Sequence, residues 1–201
     1  MVRFEKIPIR FSGCELKHPS KGEMVLRLVG VGEVPREWLE KLRLALREVL
    51  KLECLTGPFL DLPPASYRED RGQYDADLIL NRLLARIPGR FLAVTTVDLF
   101  TSSCNLNFIF GQAQCPGRGA IVSSHRLDPS FYAMPGGEEL LLRRLVKEAV
   151  TELGHTFGLR HCPNQSCAMS FSNSVLEVDR KRERLCTSCL SKMEALRATL
   201  L

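Results

Sequence analysis

The run Thr-Glu-Leu-Gly-His-Thr-Phe-Gly-Leu-Arg-His at residues 151–161 leaves the chain few ways to fold. On a helix, residues four apart lie one above the other on a single face. Positions 151 and 155 therefore address one point in space, and position 152 leans toward it from the side. A glycine at 158 takes the left-handed conformation that ends a helix, so His161 can swing back to the same point. The matching template is H-E-x-x-H-x-x-G-x-x-H, in which three imidazoles hold zinc and the glutamate moves a proton. Glu152, His155, Gly158 and His161 satisfy it, and Thr151 stands where the first histidine belongs.

That one departure bears on the chemistry. Zinc in a hydrolytic site takes three protein ligands and a water. Losing even an outer partner of a ligand costs about 10–100-fold in affinity or activity. A threonine hydroxyl is far less basic than imidazole and would have to lose its proton to compete. The expectation is a catalytic position that is empty or weakly occupied. The chain has four histidines, so only His18 and His125 remain as replacements, and nothing in the spacing aims either at the site. Taken alone, Glu-Leu-Gly-His is also compatible with a surface carboxylate beside a satisfied histidine.

Eight cysteines are present. Four of them cluster late as Cys162, Cys167, Cys186 and Cys189, a C-x4-C pair and a C-x2-C pair that suit a tetrahedral four-thiolate zinc. Disulfides, a redox C-x-x-C at Cys186–Cys189 and a nucleic-acid zinc ribbon beside the basic run Arg180, Lys181, Arg182, Arg184 share the spacing. Without a signal-peptide pattern or an apolar run of eighteen residues, the expected setting is cytoplasmic, where thiols stay reduced and metal binding is favoured. Cys14, Cys54, Cys104 and Cys115 sit in or beside apolar runs and read as core packing.

Together, residues 151–162, Cys167-Ala-Met169 and Cys186-Thr-Ser-Cys189 resemble the archaemetzincins, a branch of the metzincin zinc metalloproteases. The similarity is close over about residues 147–192. It implies a catalytic zinc beside a structural zinc, with Glu152 as general base and His155 and His161 as catalytic-zinc ligands. It also implies Met169 as the methionine turn beneath them, and Cys162, Cys167, Cys186 and Cys189 as the structural set. The fold implied is α/β (α+β): a twisted, mixed five-stranded sheet with helices that include the active-site helix. A sheet-and-helix part over 1–161 is followed by a small zinc-knuckle and helix part over 162–201. An edge strand at Asn107–Gln112 would take an extended peptide or protein substrate by strand addition.

Hydrophobic and turn patterns fill in the rest. Strands are expected at Arg3–Phe11, Met24–Val31, Phe91–Leu99, Asn107–Gln112 and Gly119–Ser124. Helices are expected at Pro35–Lys51, Tyr74–Ile87 with Asp75 in its first turn, Gly137–Phe157 and Thr187–Leu200. The proline-rich stretch Glu53–Arg71 reads as irregular. A net charge of +5 is mild, and Asp179 and Glu183 dilute the basic run, so a nucleic-acid partner is not expected. The functional expectation is a zinc metallopeptidase, with a peptide-binding protein that keeps only the structural zinc as the first alternative and a zinc-knuckle nucleic-acid-binding module as the second.

Overall fold

The computed structural model describes residues 24–199. The expected strand Arg3–Phe11, Cys14 and His18 lie outside the described residues.

Five strands form the main sheet, in the order β2 (Glu53–Leu60), β1 (Val25–Val31), β5 (Arg90–Thr95), β8 (Gly119–Ser123), β7 (Gly111–Ala113). The first four run parallel, and β7 closes one edge antiparallel to β8. Parallel strands need helices on both faces, which explains their near-continuous apolar runs. Leu26, Leu28, Leu92, Val94 and Val122 face one layer, built on α1 (Arg36–Leu50) and α3 (Gly137–Thr156). Val29, Val31, Ala93 and Ile121 face α2 (Ala76–Leu84) on the other. Helix α1 buries Leu39, Leu42, Leu46 and Leu50, a stripe at helical spacing. Asp75 caps α2 by accepting from the Asp77 and Leu78 amides. A small second sheet joins β3 (Tyr67–Arg68), β4 (Gln73–Asp75) and β6 (Leu99–Phe100). Two more helices, α4 (Val175–Arg180) and α5 (Thr187–Ala198), complete the fold.

Several expectations need correction. Glu53–Leu60 is a strand, because its parallel pairing with β1 outweighs Gly57 and Pro58. Tyr74 and Asp75 belong to β4, and the helix begins at Ala76. The segment Phe91–Leu99 breaks after Thr95, and the Asn107–Gln112 run pairs with β8 as a strand only from Gly111. Cys104 and Cys115 are exposed rather than core; Cys54 is buried as expected. No helix among the described residues is long and apolar enough to cross a membrane.

Candidate active site and metal centre

Helix α3 crosses the sheet's inner layer and is buried on almost every side from Arg144 to Gly154. Its end is set by the backbone. Gly158 adopts φ +96°, its amide donates to the His155 carbonyl at 2.8 Å, and the Leu159 amide reaches the Gly154 carbonyl at 3.0 Å. This is the paired closure of a Schellman motif, and it returns the chain toward the helix. As a result His155 Nε2 and His161 Nε2 lie 3.2 Å apart. Two nitrogens on a tetrahedral zinc, each about 2.0–2.1 Å from it, would stand at about 3.3 Å. His155 Nδ1 is 2.7 Å from the Leu159 carbonyl; donation there leaves Nε2 with its lone pair free, the usual arrangement behind a metal-bound histidine. Burial pushes His155 below the ordinary imidazole range; the hydrogen bond to the Leu159 carbonyl opposes this and the positive charge of Lys181 adds to it. His161 is pushed the same way by burial, by His155 and by Lys181. Both changes favour the neutral, ligating form.

Thr151 behaves differently. Its hydroxyl lies 2.7 Å from the Ala168 carbonyl and 3.0 Å from the Lys147 carbonyl, so its single proton is committed to backbone. Its oxygen in turn accepts from the Lys181 ammonium at 3.1 Å. His125 lies in the short helical turn after β8 with its ring edge-on to Phe131, and it is not among the residues lining the cleft. Among the described residues, two imidazoles are therefore arranged for zinc and the third donor is missing. The chain does not fit a three-histidine zinc.

Glu152 is buried beneath the edge strand. Desolvation, reinforced by the negative charge of Glu148 and opposed by Lys181, pushes its carboxyl up to about 8. A side chain at Gly111 would press on it, since a Cβ there would lie 2.7 Å from the Glu152 Cγ. Met169 is fully buried against Gly154 of α3, and its carbonyl accepts from the Cys162 amide at 2.9 Å. These elements enclose a cleft of about 190 Å³. Phe108, Phe110 and Gly111 line one wall, and Glu148, Thr151, Glu152, His155 and His161 line the other.

The sulfur atoms of Cys162, Cys167, Cys186 and Cys189 all lie within 4.8 Å of one another. Tetrahedral zinc at about 2.3 Å from each sulfur needs separations near 3.8 Å, and Cys162 and Cys186 stand at 3.9 Å. The Cys186 amide donates to Cys167 Sγ at 3.2 Å. Cys186 stands at the N-cap position of α5, and the backbone amide of Cys189 leads the causes that hold its thiol down at about 7. Burial pushes the Cys167 and Cys189 thiols up instead, so it is the spacing of the four sulfurs that fits a structural zinc, whose charge would favour the ligating thiolates.

Lys181 and Glu148 are the charged cleft residues that the sequence reading missed. The basic run places Lys181 among charges that resemble a solvated face, yet its side chain points inward.

Comparisons with known proteins agree with this architecture. Residues 67–195 match Peptidase family M54. The archaemetzincin of Methanocaldococcus jannaschii is 41% identical over 173 residues, covering 85% of this chain and 94% of that protein. The archaemetzincin of Methanopyrus kandleri is 48% identical over 136 residues, covering 66% and 73%. The crystal structure of archaemetzincin from Methanopyrus kandleri superposes with a TM-score of 0.77 at 39% identity, over 89% of this chain and 97% of that one. A zinc-dependent peptidase from Methanocorpusculum labreanum gives 0.74 at 29% identity, over 84% and 99%. With this fold, this helix and these relatives, the chain belongs to the archaemetzincins, the zinc metallopeptidases of Peptidase family M54.

Proposed function

We propose that the chain is an archaemetzincin-type metallopeptidase with an impaired catalytic centre. It receives an extended peptide along β7, holds one zinc tightly through Cys162, Cys167, Cys186 and Cys189, and holds a second only weakly at His155 and His161. The observation that carries this reading is the Thr151 hydroxyl, which is occupied by two carbonyls and an ammonium. Strand addition suits the cleft because β7 is an edge strand, and backbone pairing gives affinity without demanding one sequence. Glu152 is the residue for proton transfer: it faces the cleft from under β7, and burial pushes its carboxyl up to about 8, toward the range in which an acid–base group works. Phe108 and Phe110 make the opposite wall apolar.

Metal analysis of the purified protein tests the reading. The expected content is near one zinc per chain, rising toward two in Thr151→His. Two tightly held zincs in the parent protein would overturn it. Peptide cleavage is expected to be weak, dependent on added zinc, and abolished in Glu152→Ala; cleavage that survives Glu152→Ala comes from another enzyme. If zinc-supplemented protein binds peptides but never cuts them, the metal-poor peptide-binding alternative replaces the peptidase reading.

A further inference from the structure

The end of the site where a first histidine would stand is served by a lysine from another element. Lys181 follows α4 and turns inward until its side chain is 1% exposed. Its ammonium donates to Thr151 Oγ1 and to the Ser170 carbonyl, each at 3.1 Å. It lies 2.8 Å from Glu148 Oε1, whose side chain is 5% exposed. That oxygen has no aligned hydrogen-bond donor, so the carboxylate is balanced by charge alone. A buried pair of this kind is screened far less than a surface one.

Its placement is anchored. Arg144 of α3 is fully buried, grips Asp179 through Nε and Nη2 at 2.9 and 2.7 Å, and donates to the Leu127 carbonyl. Lys147 donates to the carbonyls of Val178 and Asp179 at 3.1 and 3.2 Å. These contacts fix the last turn of α4, and Lys181 leaves that turn directly into the cleft.

We propose that Lys181 is a built-in cation that takes over from the metal at the first-ligand end, balancing Glu148 and repelling a divalent ion from the His155–His161 pair. The inference rests on the metal-poor reading of that centre and names the residue that enforces it. Lys181 and Glu148 line the same cleft as Thr151, His155 and His161, and the ammonium is held at the Thr151 end by Thr151 Oγ1. Even across roughly 10 Å at an effective dielectric of about 20, a unit charge changes the binding of a dication by more than tenfold before screening.

The test is zinc titration, followed by calorimetry, into protein whose four-cysteine centre is already loaded. Lys181→Met is expected to bind the additional zinc at least about tenfold more tightly than the parent. Lys181→Arg, which keeps the charge, is expected to bind it no more tightly than the parent does. Affinity in Lys181→Met that equals or falls below the parent's overturns the proposal. Should the bare Glu148 prevent that variant from folding, Lys181→Gln removes the ammonium and keeps a hydrogen-bond donor beside Glu148. The same tightening is expected there, and its absence is equally decisive. A parent protein that itself holds two zincs tightly refutes the weak-metal reading underneath. One zinc in the parent with no gain in the variants refutes only the role of Lys181.

Discussion

Glu152 is enclosed by its own helix, by Gly111 of the edge strand and by the charge of Glu148 one turn earlier. Desolvation is the largest of these influences, and it sets a direction for the pH dependence of stability. The folded protein keeps the Glu152 proton up to about pH 8, whereas an ordinary glutamate releases it near 4.5. Between those values the folded state binds more protons than the unfolded one. Stability therefore falls as pH rises through the window, by at most about 1.4 kcal/mol per pH unit from this group. Glu152→Gln removes the dependence. Its urea midpoint relative to the parent is expected to rise from pH 5 to pH 8.5, and a constant difference between the two proteins would show that the carboxyl is not buried as described. Glu152 was legible from the motif spacing, but its environment was not. The close approach of Gly111 depends on where β7 crosses α3, which no local pattern records.

Elements with a strong period were readable, and those defined by partners were not. Helix α1 carries its leucines at helical spacing, and α3 ends where Gly158 requires. Strand β2 was hidden because Gly57 and Pro58 break its local preference, while its pairing to β1 is a long-range fact. Helix α4 has only six residues, less than two turns of periodicity. It is held chiefly by Arg144 and Lys147 of α3, and missing it also misplaced Lys181. This dependence makes a prediction. Asp179→Ala leaves the Arg144 guanidinium buried and unpaired, a change that costs about 3–5 kcal/mol in closed surroundings. The Asp179 side chain is 32% exposed, so water enters and the lower end, about 3 kcal/mol, is expected. Arg144→Met/Asp179→Leu, with no charge left to strand, is expected to recover most of the loss in denaturant melts. A double variant no more stable than Asp179→Ala would show that the shape of the clamp matters more than its charge.

Across the whole molecule, the sheet and the four-cysteine region share one core. The cluster that contains Leu28, Leu92 and Val122 continues through Leu145 and Leu153 of α3 to Cys167, Ala168, Met169, Val178 and Met193. The Thr151 hydroxyl and the floor beneath the two histidines both rest on residues 168 and 169, which are tied to Cys162 and Arg184 by backbone hydrogen bonds. Folding of the catalytic end is therefore coupled to the cysteine centre. A structural zinc supplies roughly 10–16 kcal/mol of binding free energy near neutral pH, comparable to the whole stability of an ordinary domain. Removing it is expected to melt the region after Cys162 and to release the catalytic helix from its floor. Cys167→Ser, whose oxygen is a poor substitute for a buried thiolate, should lose the tightly held zinc and lower the thermal midpoint by about 10 °C or more, the shift that roughly 3–5 kcal/mol produces in a chain of this size. Chelation of the parent protein should release one zinc per chain in step with the loss of near-ultraviolet dichroism. If all the metal leaves while the thermal transition stays in place, the four cysteines do not hold this core together. The coupling between the two ends of the molecule would then have to run through α4 alone.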